Sequence, residues 1–130
     1  MKHDLVIKGG TLVTASETFT ADIGINGEKI VTIGESLDGY DEINADKKLV
    51  MPGGIEAHCH IAQESGMGVM TSDDYETGSI SAAFGGNSSF VPFVAQKKGE
   101  TISGTIDEYD RRAETKSVID YLYHLIITDP

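Results

Sequence analysis

The stretch "LVMPGG", residues 49–54, divides this chain into two rhythms and so limits what it can fold into. Beyond it, apolar strand patterns alternate with helix patterns. "GIEAHCHI" reads as a strand. "SDDYETGSISAAFGG" reads as a helix, with Ser72 as N-cap, Asp73 and Asp74 in the first turn and Gly85-Gly86 as the stop. "SSFVPFVAQ" is a second strand, although Pro92 has no N–H to give in a central position. "ETISGTIDEYDRRAET" is a second helix, with Ile106, Tyr109 and Ala113 at helical spacing, and "SVIDYLYHLIIT" is a long apolar strand. Strand–helix–strand–helix–strand is the order of parallel βαβ units.

The first fifty residues follow a different pattern. "DLVIKG" and "TLVTA" flank Gly9-Gly10, which reads as a turn pair, and "ADIGI" and "KIVTIG" flank the hairpin dipeptide Asn26-Gly27. The strands are short and half-polar, so the expectation is an antiparallel sheet covered on one face. The three strands expected after Gly54 are too few to close a barrel, which takes eight strands and ~250 residues. The chain ends at Asp129-Pro130 directly after a strand pattern, and it is read as the front of a longer protein.

Charge excludes some partners. The net charge is −11, and the basic residues are scattered apart from the pairs Lys47-Lys48, Lys97-Lys98 and Arg111-Arg112. A nucleic-acid partner is not expected, because phosphate binding needs clustered cations. A single cysteine, Cys59, excludes an internal disulfide and fits a reducing compartment. The opening "MKHDLVIKGGTLV" lacks the unbroken apolar stretch of a signal peptide, and no run approaches the ~20 apolar residues of a membrane span. The expectation is a soluble cytoplasmic protein with no membrane partner.

Chemistry concentrates at "EAHCH", residues 56–60. On a strand, His58 and His60 share one face while Cys59 points to the other, where a packing role is expected. The two imidazoles either hold a divalent metal from one side or are polar residues at a strand end. A catalytic metal needs further ligands and an open position. Glu56, on the histidine face, either orients a ligand imidazole or is a polar rim residue. His124, inside "DYLYHLII", reads as a hydrogen-bonded core histidine, and His3 lies far from the pair in sequence.

Together, "DLVIKGGTLVTA", "ADIGINGEKIVTIG" and "NADKKLVMPGGIEAHCHI" resemble the openings of cyclic amidohydrolases. "TSDDYETGSISAAFGGNSSFVPFVAQKKG" and "SVIDYLYHLIITDP" narrow the resemblance to the dihydropyrimidinase/D-hydantoinase branch, over the whole chain. The resemblance implies a composite fold. Residues 1–50 would begin a small β-sandwich, and residues 51–130 would give the first three β/α units of a (β/α)8 TIM-like barrel, incomplete in this chain.

It further implies two divalent metal ions, zinc above all, bridged by a carbamylated lysine. His58 and His60 match the first-strand metal ligands. The lysine, further histidines and the catalytic aspartate would lie beyond residue 130, so Lys97, Lys98 and Lys116 are not assigned that role. The implied activity is hydrolysis of the cyclic amide bond of dihydropyrimidines or hydantoins to N-carbamoyl amino acids, in a homotetramer acting on a small cyclic ureide or imide.

Met67, Val69 and Met70 would either wall the substrate's exocyclic group or pack the loop down, and Gln63 is a possible polar contact. Glu56 stands where aspartate is usual, and Asn87-Ser88-Ser89 where Gly-Thr-Thr or Asn-Thr-Thr is commoner. The alternatives are a non-catalytic dihydropyrimidinase-like assembly or binding protein, or another cyclic amidohydrolase such as allantoinase. Dihydroorotase is disfavoured, because Ala62 stands where its relatives carry a carboxylate-pairing arginine.

Overall fold

A computed structural model describes residues 2–130. The chain forms two units, Met1–Pro52 and Gly53–Pro130. Among the described residues there are nine strands and two helices, and neither helix is long and apolar enough to cross a membrane.

The first unit is one sheet built from β1 (Lys2–Val13), β2 (Thr18–Asn26), β3 (Lys29–Gly34), β4 (Asp38–Asn44) and β5 (Leu49–Val50). Its order is β3-β2-β1-β4, with β5 also on β1. The hairpin at Asn26-Gly27 forms as expected, pairing Asn26 with Lys29, and Gly27 takes a left-handed φ of 57°. Two other expectations are corrected. The sheet is mixed rather than antiparallel, because β4 and β5 both run parallel to β1. Gly9-Gly10 is a bulge inside a continuous strand rather than a turn, with the β1–β2 register shifting between Ile7 and Gly10.

The physical reason lies in what surrounds the two glycines. Gly9 has φ 66°, and a Cβ on Gly10 would fall 2.5 Å from a Val50 methyl. Buried Asp22 completes the bulge. Its carboxylate accepts from the N–H of Gly9 at 2.7 Å and of Leu37 at 3.0 Å, with the Lys8 ammonium 3.5 Å away. Burial pushes this carboxyl up, but those two N–H donors and the Lys8 charge bring it below its ordinary value.

Asp22→Ala strands the two donors and is expected to cost about 2 kcal/mol in thermal or denaturant unfolding. A folded-state pKa below the unfolded one stabilises at neutral pH. That contribution disappears as pH falls from about 3.8 through the lower folded value. The difference between wild type and variant should therefore shrink in strong acid.

The second unit is a parallel sheet carrying two helices. It comprises β6 (Gly54–Cys59), α1 (Tyr75–Phe84), β7 (Asn87–Ala95), α2 (Ile102–Ala113), β8 (Asp120–Tyr121) and β9 (His124–Ile126). β7 is central, parallel to β6 on one side and to β8 and β9 on the other. The strand–helix alternation read from the sequence is thus present. The last strand is broken in two, however, opposite Val91-Pro92. Pro92 offers no N–H there, and on the other edge the β6 register also shifts, between Glu56 and Cys59.

Both helices pack on the β7 face that carries Phe90 and Val94, in a core with Ile61, Ala62, Tyr75, Tyr109 and Ala113. The N-cap of α1 is Asp74 rather than Ser72. The Asp74 carboxylate accepts from the N–H groups of Glu76 and Thr77, each at 3.0 Å, and Asp74 N–H donates to the Thr77 hydroxyl. Capping from Ser72 would put Tyr75 at the reciprocal position, where a phenol cannot make the return bond. Lys116 lies 2.6 Å from Asp74, and its hydrogen bond, with the Thr77 N–H, holds that carboxyl down at about 2.

Candidate metal centre

Strand alternation sends Phe90 and Val94 of β7 toward the helices and Phe93 to the opposite face. Three histidines gather on that opposite face around the Phe93 ring. His58 meets it edge-on with centroids 4.6 Å apart, His60 stacks on it at 4.9 Å with a 10° interplanar angle, and His124 lies at 4.9 Å. His58 and His60 are both exposed, with ring centroids 5.5 Å apart.

Register explains the convergence. Phe93 pairs with His124, and the shift in β6 brings Cys59 beside Pro92, so the ends of β6, β7 and β9 come level. His124 Nε2 donates to the Ala57 carbonyl at 2.9 Å, bracing the end of β6 from the far side of β7. His124 is therefore hydrogen-bonded as expected, but it is exposed at the start of β9 rather than buried mid-strand.

The geometry of the pair suits a metal. Two imidazole nitrogens at ~2.1 Å from one tetrahedral ion imply ring centroids roughly 5 Å apart. The observed 5.5 Å needs little adjustment. His60 Nδ1 lies 2.6 Å from Gln63 Oε1, within hydrogen-bond distance. Among the described residues, no three His, Cys, Asp or Glu side chains converge to hold an ion. The pair would supply two ligands to an ion on this face, and further ligands would have to come from elsewhere.

The neighbours sort clearly. Cys59 packs against the core on the helix side, and burial, then the Glu56 charge, push its thiol up to about 11. It is a neutral packing residue with no thiolate to offer. The Glu56 carboxylate accepts from the backbone N–H of His58 at 3.0 Å and makes no hydrogen bond to either ring. Lys97 pairs with Glu64 at 3.1 Å and Lys116 with Asp74 at 2.6 Å, and these carboxylates raise both amines above their ordinary values. A protonated, paired amine is a poor candidate for carbamylation, which starts from the free base. His3 is buried in the first unit against Asn26.

The loop after His60 is a small hairpin. Glu64 bridges Met70, and Ser65 N–H donates to the Val69 carbonyl at 2.8 Å. Met67, Val69 and Met70 are 89%, 62% and 52% exposed, so they do not pack the loop down within this chain. A cavity of 960 Å³ lies behind the loop, bordered by Gln63, Met70, Lys97, Glu108 and Arg112, and it excludes both His58 and His60.

Sequence reasoning missed Phe93 as the platform of the site. Its placement follows from the parallel register of "HCH" against "VPF", a non-local fact that alternation within "FVPFV" alone only hints at.

No family model matches the chain. In sequence, the chain is 42% identical over 126 residues to the D-hydantoinase of Geobacillus stearothermophilus, covering 95% of this chain and 26% of that protein. In structure, it matches the dihydropyrimidinase of Brevibacillus agri with a TM-score of 0.90 and 42% identity, covering 100% of this chain and 28% of the other. It matches a D-hydantoinase from a Bacillus species with a TM-score of 0.89 and 44% identity, covering 97% of this chain and 28% of the other. The chain thus spans little more than a quarter of the length of these relatives.

Proposed function

We propose that this chain, a relative of D-hydantoinases and dihydropyrimidinases that matches part of their length, supplies one metal-binding wall of a cyclic amidohydrolase. In this reading the whole protein hydrolyses the cyclic amide bond of a hydantoin or dihydropyrimidine to an N-carbamoyl amino acid. The observation that carries it is the His58–His60 pair on the open sheet face, with ring centroids 5.5 Å apart on a shared Phe93 platform. Residues 1–50 would be part of a β-sandwich and residues 51–130 the first units of a (β/α)8 barrel. Two ions, zinc as their identity, a carbamylated lysine, a homotetramer and a cytoplasmic location complete the reading, supported by the resemblance.

A divalent ion held there supplies Lewis acidity, polarising the scissile carbonyl and acidifying water near neutral pH. The chain's own residues prepare the place. Phe93 fixes both ring planes, Gln63 and the His124–Ala57 bond hold the ends of the segment, and Cys59 anchors β6 in the core. Met67, Val69 and Met70, exposed in the loop after His60, would wall the substrate's ring substituent, and unbranched Met adapts to varied shapes.

The test compares two proteins. The 130 residues alone are expected to turn over neither 5,6-dihydrouracil nor hydantoin. A longer protein that contains this chain and spans its relatives' length, loaded with zinc, is expected to open at least one of these rings. A metal-loaded longer protein inactive on both would remove the reading.

A further inference from the structure

We propose that Gln63 is a positioning residue that fixes His60 in the tautomer protonated at Nδ1, leaving Nε2 as the nitrogen that faces outward. The inference deepens the metal-site reading and rests on it. The Gln63 amide oxygen lies 2.6 Å from His60 Nδ1. A carbonyl oxygen only accepts, so the proton of this bond belongs to the imidazole, and a neutral ring with Nδ1–H carries its free lone pair on Nε2. The ring plane is already set by stacking on Phe93, so Gln63 decides which nitrogen is protonated.

The reach of Gln63 back to His60 depends on a left-handed residue between them. Ala62 has φ 47°, which turns the chain so that the side chain three residues on returns to the imidazole. That conformation is held from both sides. Ala62 N–H donates to the Asp73 carbonyl at 2.8 Å, and Arg112 Nη1 donates to the Ala62 carbonyl at 2.9 Å. Gln63 itself is clamped to Thr71, donating to the Thr71 hydroxyl at 3.1 Å and accepting from its N–H at 3.0 Å. Arg112 is fixed in turn by Glu108 and by the Tyr109 ring. The amide is thus presented to His60 by a framework anchored on α2. Metal-ligating histidines characteristically donate their second N–H in this way, and losing the acceptor weakens metal binding ~10–100-fold.

The test reads the tautomer directly. Long-range proton–nitrogen correlation spectra of the 15N-labelled, metal-free chain, recorded in alkaline buffer, should show His60 protonated at Nδ1 and bare at Nε2. Gln63→Met keeps the length and removes the acceptor, so it should move His60 toward Nε2–H and weaken zinc binding ~10-fold in a titration. Gln63→Glu retains an acceptor and should keep Nδ1–H and bind zinc no more weakly than wild type. Nε2–H in the wild type, or an unchanged tautomer in Gln63→Met with the backbone fingerprint intact, overturns the proposal. If His58→Ala binds zinc as wild type does, the metal-site reading fails on its own, and the metal-free spectra still decide the role of Gln63.

Discussion

On the proposed reading, replacing His58 or His60 by alanine in a metal-loaded protein of the relatives' length is expected to lower kcat/KM by on the order of 10³-fold or more, with loss of bound metal. On the proposed reading, the size follows from what an ion there would supply: without it, water would stay a weak nucleophile and the scissile carbonyl would not be polarised. Unfolding should hardly change. Both side chains are exposed, and their contacts with Phe93 involve one ring edge and one ring face, so the cost is expected within about 1 kcal/mol. Paired metal analysis and denaturant unfolding check this. A variant that loses activity and stability together would place the histidines in the scaffold instead.

The second large effect separates two phenylalanines three residues apart. Phe90 is 2% exposed and central to the helix-side core. Phe90→Ala is expected to cost ~3–5 kcal/mol, comparable to the ~5–15 kcal/mol total stability of an ordinary domain. Phe93 lies on the other face, half-buried under three imidazoles. Phe93→Ala should cost less stability but weaken metal binding by on order of 10-fold, because both rings lose the platform that fixes their planes. Urea unfolding and zinc titration of the two variants should give opposite orderings. Equal stability losses would contradict the two-faced arrangement of β7.

Local patterns made much of the fold legible. The alternation after Gly54, the Asn26-Gly27 hairpin and the Gly85 stop of α1 each depend on residues adjacent in sequence. The placement of His58 and His60 on one face also follows from strand period alone. What escaped the sequence depends on distant partners. Gly9-Gly10 is a bulge because Val50 and Ala45 crowd Gly10 from 35 or more positions away. The parallel pairing of β1 with β4 is likewise non-local.

The break between β8 and β9 comes from Pro92 on the neighbouring strand, which a reading of "SVIDYLYHLIIT" in isolation cannot include. Around the histidines, their shared face was legible and the support beneath them was not. Phe93 reaches the histidines through register, and Gln63 reaches His60 through a left-handed Ala62 that no propensity favours. Ser72 against Asp74 was decided by whether the residue three positions on could return a hydrogen bond.

Anomalous diffraction at the zinc edge, from crystals of the zinc-loaded protein, tests the central claim most directly. The arrangement predicts a peak ~2.1 Å from a ring nitrogen of both His58 and His60, on the Phe93 face of the sheet. Zinc bound elsewhere, with both imidazoles free, would contradict it.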